Sequence, residues 1–497
     1  MKKNLITLSY CLILVYLPIL AFPQNFKPTF TVKKEPLSKI NPKLKYTFGY
    51  LEVLENRAKP NGATIKLPVY IFKSKKPNPP KDPVLFLIGG PGLSNMRNAP
   101  YAKYYKFLED RDLIFFEQRG ATYAQPNLNC PEWNKAQAKA AYPNLSQQEK
   151  QQIMREATRK CREGFVKKGI DLSAYTTKAI ADDVEDFRNA LKIKQLNLFT
   201  VSYGTQIAQV LMRDYPKSIR SVVMDSPLPL EVQYDEEATD YMVKAFKKMF
   251  RDCNENTAYR KLGQRFWRFL EAKTKEPLLL NVKHPKTKQS YTFRLRGKNI
   301  IQFFDLSSTY GIPTIPQKIE QVLAGDYSQL KKKLQGVLLS KGSSFQIGFR
   351  LSVWCAEQAP YNNYQKIQQL STKNAAIAGY NPKVFEEDIC KIWQVKKVAA
   401  REKQAVKSKV PVLLLSGSYD PDTPPEWAAQ MQKNLPNSFH LIFKGWGHTI
   451  SLNWGNPCGM QMANAFFNNP TQRPTADCFE KIGKPNFKAG DKSKGKK

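Results

Sequence analysis

The chain has 497 residues, 78 of them lysine or arginine against 42 aspartate or glutamate, a formal charge of +36, and 42% hydrophobic content. That apolar share excludes a disordered chain, and the length exceeds a minimal domain, fitting one sheet with a large insertion as well as two domains. The basic excess suits an anionic envelope polymer or lipid surface. No aromatic-interleaved basic motif accompanies it, which sets specific nucleic-acid binding aside.

Met1-Lys-Lys-Asn4 and the apolar residues 5–21 precede Pro23-Gln-Asn25, the pattern of a secretory signal peptide over residues 1–24. An uncleaved anchor is the alternative, although Thr7, Ser9, Tyr10 and Pro18 interrupt the run. The expected location is secreted or periplasmic. Residues 45–73 alternate around Lys59-Pro-Asn-Gly62, predicting paired antiparallel strands. Strand patterns then begin at Val84, Asp112, Leu196 and Ser221, separated by helical stretches such as 177–191. This alternation is that of an α/β fold with a mostly parallel, doubly wound sheet, whose first part covers residues 25–226. Over 227–409 the alternation lapses into helical, charged and aromatic sequence, including 241–250 and 262–270, which predicts a helical cap. The sheet resumes over 410–483 and ends in a helix at 458–467; the Lys- and Gly-rich residues 484–497 read as a disordered basic tail.

Ser202, in Leu196-Asn-Leu-Phe-Thr-Val-Ser-Tyr-Gly204, lies between a buried-strand run and a helical pattern, where a nucleophile elbow pushes its hydroxyl outward. A serine nucleophile needs a base, and the base needs an orienting acid, in the chain order Ser, Asp, His for this arrangement. Of the three histidines, His284 breaks that order and His440 alternates within a strand, leaving His448 in Gly445-Trp-Gly-His448 as the base. Asp420 leaves the strand Val410-Pro-Val-Leu-Leu-Leu-Ser-Gly417 and is the expected acid. Asp422 is its rival, with helix capping as the competing role, a role that Thr423 could equally fill. Gly89-Gly-Pro-Gly92 lets backbone approach a developing oxyanion, with the amides of Gly90 and Tyr203 as donors. A phosphate loop would require Gly-Lys-Ser/Thr or G-x-G-x-x-G, and neither is present.

Together, Gly89-Gly-Pro-Gly92, Glu117-Gln-Arg-Gly120, Thr200-Val-Ser-Tyr-Gly204, Asp420-Pro-Asp-Thr-Pro424 and Gly447-His448 resemble the prolyl and tripeptidyl aminopeptidases of the α/β-hydrolase superfamily. The resemblance starts at Phe48-Gly-Tyr-Leu-Glu-Val-Leu-Glu-Asn-Arg57 and ends near Cys478. It implies an α/β-hydrolase fold, with Ser202 as nucleophile, Asp420 as acid, His448 as base, and removal of residues from free N-termini. Two departures stand out: Thr200 replaces the elbow glycine, and Glu117 stands where the family often has Asp.

Export makes disulfides the expected fate of the cysteines. Connectivity stays open, although Cys130 with Cys161, Cys355 with Cys390, and Cys458 with Cys478 are local pairs, the last best supported by the resemblance, which would leave Cys253 over. No zinc site assembles from this set, and no metal or cofactor is expected. An aminopeptidase must hold an ammonium group. Glu357 resembles a cap acid that does this, with Asp235-Glu-Glu237 the alternative and Trp354, Tyr361 and Tyr364 as apolar walls. A peptide with a free N-terminus is thus the expected substrate; an esterase or amidase with the same residues, and a basic surface-binding protein with a vestigial triad, are the competing readings.

Overall fold

A computed structural model describes residues 26–79, 82–381 and 384–487. The signal-peptide expectation and the tail beyond Phe487 lie outside the described residues. In chain order the strands are β1 (Thr29–Lys33), β2 (Tyr46–Leu54), β3 (Thr64–Phe72), β4 (Val84–Leu87), β5 (Leu113–Phe116), β6 (Leu196–Val201), β7 (Ile219–Asp225), β8 (Leu278–Lys283), β9 (Ser290–Leu295), β10 (Val412–Gly417) and β11 (Ser438–Phe443). Nine of them form one sheet in the order β1-β2-β3-β5-β4-β6-β7-β10-β11. The joints from β1 to β5 are antiparallel and those from β5 to β11 parallel. The expected antiparallel lead-in and parallel body are both present.

Strands β4, β5, β6 and β10 are buried along their whole length, as parallel strands covered on both faces must be. Alternate residues feed opposite layers. Leu85, Leu87, Leu198, Met224 and Leu414 join one apolar cluster with the helices Thr177–Ala190 and Gly204–Asp214, and Phe86, Phe199, Val223, Leu413 and Leu415 join another with the helix Cys458–Asn468. Strand order reverses at β4, which has β5 on one side and β6 on the other. Open α/β sheets form ligand crevices beyond the carboxyl ends of strands at such a reversal.

The insertion before β10 has two parts. Helices Tyr234–Cys253, Leu262–Lys275, Ile315–Leu323 and Ser328–Leu338 share a separate apolar cluster with β8 and β9, an antiparallel hairpin that the helical expectation missed. Its period-two signal, Leu278, Leu280 and Val282 buried between exposed neighbours, is short and lies among helices. The helix Ile347–Glu357 instead packs into the main sheet cluster through Phe349, Leu351 and Val353. Helix Gln147–Lys167, upstream of the expected cap, also meets the insertion, where Arg162 donates to the Trp393 carbonyl at 3.0 Å.

Disulfides join Cys130 to Cys161, Cys355 to Cys390 and Cys458 to Cys478, while Cys253 is buried and unbridged. Among the described residues no helix is long and apolar enough to cross a membrane. The disordered-tail expectation is overturned for its first residues. Phe487 is 5% exposed within the separate insertion cluster, Asn256 donates to its carbonyl at 2.6 Å, and Lys484 pairs with Glu255. An apolar ring inside a lysine-rich run found a core to enter.

Candidate active site

The elbow follows directly from β6. Ser202 sits at φ 55°, a left-handed conformation rare for a side-chain-bearing residue, between Val201 and the helix Gly204–Asp214. Its amide donates to the Asp225 carbonyl at 2.9 Å, and its own carbonyl accepts from Thr205 N–H at 2.9 Å. Thr200 does not crowd this turn, because its hydroxyl is turned into the sheet and donates to the Val223 carbonyl at 2.9 Å. Tyr203 stands just before the helix, so its amide has no intrahelical acceptor and can serve an oxyanion.

Opposite the elbow, the chain leaving β4 must pass very close. A Cβ on Gly89 would lie 2.7 Å from Ser202 Cβ, and Gly90 takes φ 124°, so both positions demand glycine. Glu117 holds the continuation of this loop. It is fully buried at the end of β5, and its Oε2 accepts from Ser94 Oγ at 3.0 Å, Asn95 N–H at 2.8 Å and Met96 N–H at 3.3 Å, while Oε1 takes Tyr123 N–H at 3.1 Å. Burial pushes its carboxyl up to about 7 against these donors. The longer Glu in place of Asp therefore anchors residues 94–96, at the far end of the loop that carries Gly90. Arg119, two residues on, is locked to Asp183 at 2.6 and 2.7 Å.

His448 Nδ1 lies 2.8 Å from Asp420 Oδ2. The other carboxylate oxygen accepts from the amides of Asp422 at 2.9 Å and Thr423 at 3.0 Å, and the Thr423 hydroxyl donates to Oδ2 at 2.6 Å. With Nδ1–H committed to Asp420, Nε2 is left to receive a proton. Burial alone would lower the His448 pKa, but the Asp420 charge and hydrogen bond, with Asp422 and Asp225 beyond, outweigh it and raise the imidazole to about 9. Asp225, at the end of β7, fixes the loop that follows. It accepts Ile450 N–H at 2.8 Å, Ser451 N–H at 2.7 Å and the Ser451 hydroxyl at 2.5 Å. The insertion grips the same loop from outside, since His448 N–H donates to the Ser307 carbonyl at 2.8 Å and Gly447 N–H to Thr309 Oγ1 at 2.9 Å.

Ser202 and His448 line one cavity of about 360 Å³ with Gly89, Gly90, Tyr234, Phe345, Arg350, Trp354, Asp422 and Thr423. Among the described residues no hydrogen bond joins Ser202 Oγ to His448; the two groups meet only across this space, where catalytic contacts commonly tighten once substrate is bound. Asp420, Asp422 and His448 each bring an atom within 4.8 Å of the others, the distance of a loose ligand set. Asp420 and His448 Nδ1 are already engaged with each other, so the arrangement reads as an acid–base pair. His440 is a strand residue, as expected. Its Nε2 meets Ser416 Oγ at 3.0 Å, and burial pushes it down to about 4.

The ammonium expectation for Glu357 is corrected. Its Oε1 accepts Thr177 N–H and its Oε2 the Thr177 hydroxyl, each at 2.6 Å, and Thr177 Oγ1 in turn lies 2.9 Å from the Tyr203 hydroxyl. This buried carboxylate braces the residue after Ser202 and does not line the cavity. The alternative acids are likewise committed. Asp235 accepts from Trp354 Nε1 at 3.3 Å and Asn362 Nδ2 at 2.9 Å, Glu236 from Asn363 N–H at 2.6 Å, and Glu237 from Trp427 Nε1 at 2.9 Å. Trp354 does line the cavity, whereas Tyr361 and Tyr364 spend their hydroxyls on the Val398 and Ala359 carbonyls away from it. Asp422 is the carboxylate facing the cavity. Its Oδ2 accepts from Ser307 Oγ at 2.6 Å. Arg350 escaped notice entirely, although its i,i+4 spacing from Trp354 places both on one helix face.

An elbow serine at a strand reversal, facing a histidine braced by an acid from a later strand, defines the α/β-hydrolase class. The chain belongs to the alpha/beta hydrolase fold family, matched over residues 82–453. It is 27% identical over 431 residues to the putative hydrolase YuaR of Escherichia coli (strain K12), covering 80% of this chain and 78% of that protein. It is 30% identical over 186 residues to the tripeptidyl aminopeptidase of Streptomyces coelicolor, covering 36% of this chain and 34% of that one. The serine protease Hip1 of Mycobacterium tuberculosis is 22% identical over 416 residues, 78% of each chain.

Proposed function

We propose that this chain is a serine aminopeptidase, cutting prolyl residues or short peptides from free N-termini through an acyl-enzyme at Ser202. The observation that carries this reading is the His448–Asp420 pair at 2.8 Å facing the same cavity as the elbow serine. His448 Nε2 takes the Ser202 proton as Oγ attacks the scissile carbonyl carbon, and the amides of Gly90 and Tyr203 receive the oxyanion. The protonated imidazole then delivers its proton to the leaving amine as the C–N bond breaks. Water, activated by the same imidazole, hydrolyses the ester and restores Ser202. The names of two relatives, a tripeptidyl aminopeptidase and a serine protease, point the same way. Asp422 is positioned to take the substrate ammonium in place of Glu357. Three disulfides suit an oxidising compartment, in line with export.

The test is a panel of chromogenic peptides with free and blocked N-termini and simple esters, with Ser202→Ala as control. Loss of all turnover in the variant, loss of fluorophosphonate labelling, and preference for free N-termini support the reading. Preference for blocked peptides or esters transfers it to an esterase or amidase, which the apolar walls formed by Ile88, Leu93, Leu228 and Phe345 would also serve. Turnover undiminished by Ser202→Ala removes the nucleophile.

A further inference from the structure

Arg350 presents a cation to the active-site cavity, and among the described residues it forms no ion pair. It lies on the helix Ile347–Glu357, whose packing into the sheet core makes it a rigid support. Its guanidinium carbon stands 4.3 Å from the Phe345 ring centre and 5.8 Å from that of Trp354, both also cavity residues. Both distances are within cation–π reach, so the aromatic rings support the guanidinium without using up its N–H donors. Of its five N–H groups, one reaches the Gly90 carbonyl, at a long 3.4 Å. Asp235 and Asp422 are close enough to act on it electrostatically, yet no carboxylate among the described residues forms an ion pair with it. Asp235 accepts from Trp354 and Asn362, and Asp422 Oδ2 from Ser307, so neither carboxylate takes a hydrogen bond from the guanidinium.

A partly buried cation in a mostly apolar cavity gains from an anionic partner, and a guanidinium matches a carboxylate in a two-point fork. We propose that Arg350 binds a carboxylate of the substrate, making the cavity selective for acyl or leaving groups that carry one. The contact with Gly90 sets the reach, because Gly90 is the amide position assigned to the oxyanion, so the bound carboxylate lies within a few bonds of the scissile carbonyl. Two sources share this chemistry: an acidic side chain on the acyl residue, and the terminal carboxylate of a short peptide's leaving group. With Asp422 in the same cavity, a short zwitterionic peptide finds one fixed charge for each of its own. This inference rests on Ser202 being the nucleophile, but not on the substrate having a free amine.

The experiment compares kcat/KM for matched substrates in wild type, Arg350→Gln and Arg350→Lys. One arm sets the p-nitrophenyl monoester of glutaric acid against p-nitrophenyl valerate and glutamyl against glutaminyl p-nitroanilide. The other sets trialanine against trialanine amide. Wild type should favour the carboxylate-bearing member of one arm by about 10- to 100-fold, carried mainly in KM, as a charge-assisted hydrogen bond requires. The favoured arm identifies the source. Arg350→Gln should erase the ratio and Arg350→Lys keep part of it, with fluorophosphonate labelling of Ser202 reporting that each variant is folded. A ratio near one in both wild-type arms, a ratio that survives Arg350→Gln, or equal kcat losses on charged and neutral members would overturn the proposal, the last by assigning Arg350 to the oxyanion. Carboxylate preference without any preference for free N-termini would refute only the aminopeptidase reading, and failure of wild type to label at Ser202 would refute the nucleophile assignment itself.

Discussion

Replacing Asp422 with Asn should make the enzyme a better catalyst at neutral pH on substrates that lack an amine. His448 is held at about 9, against an ordinary 6.5, by the charges of Asp420, Asp422 and Asp225 acting over the opposing effect of burial. That difference amounts to roughly 3 kcal/mol favouring the imidazolium. The catalytic step needs neutral imidazole, and at pH 7, about two units below, only about 1% is available. The kcat/KM of wild type should therefore climb through a limb centred near 9. Asp422→Asn removes one of the three anions while keeping the shape that accepts from Ser307, so the limb should move down by on the order of one pH unit. At neutral pH this is roughly a tenfold gain for a neutral p-nitrophenyl ester. Stability should run the other way: a histidine whose folded pKa is raised stabilises fully below its unfolded value near 6.5, and the contribution is lost as pH rises towards 9. The assay is kcat/KM for the ester across that range, with a denaturant melt at each pH. A wild-type limb near 6.5, or one that Asp422→Asn leaves in place, would refute the electrostatic argument.

Other perturbations separate support from chemistry. Glu357→Gln should lower kcat on peptide and ester alike and reduce stability by about 1–3 kcal/mol, since it breaks a buried acceptor pair under Tyr203, and a KM rise confined to peptides with free amines would contradict this. Glu117→Gln turns an amide N–H toward a donor, so a melt should record a loss of about 1–3 kcal/mol. It should also flatten the decline in stability expected for wild type as pH rises from the ordinary 4.5 to about 7, the interval in which the carboxyl of the unfolded chain is ionised while the buried one still holds its proton. Ending the chain after Phe487 should leave thermal stability and hydrolysis unchanged, whereas ending it before Lys484 exposes the site filled by the Phe487 ring and should cost about 2 kcal/mol.

The parallel strands and the Ser202, Asp420, His448 order were legible because buried parallel strands appear as continuous apolar runs and their functional loops follow at the carboxyl ends. Ser202 and His448 could each be placed on a loop after a strand without knowing a single long-range contact, while their meeting at one cavity comes from the fold. What sequence hid was the partner of each charge. Glu357 looks like a pocket acid beside Trp354, but the helix beginning at Thr177 captures it, 180 residues away in sequence. Asp225 reads only as a strand residue, and its hold on Ile450 and Ser451 exists through the fold alone. Arg350 offered a spacing signal but no cue that its guanidinium would lack a partner. The hairpin of β8 and β9 was readable by its alternation, yet it is brief and embedded in helical sequence.

The contact between the Ser307 carbonyl and the His448 amide bears on the order in which this enzyme becomes competent. Ser307 lies before β10 in the chain and His448 after it, so His448 is clasped between segments made at different times during synthesis. A chain whose sheet has formed while its insertion is still unfolded holds serine, aspartate and histidine in sequence but lacks one wall of the histidine's seat. For the same reason excising the insertion would take with it a hydrogen bond of the loop that carries His448, so a smaller version of this hydrolase would begin with that loop less firmly held.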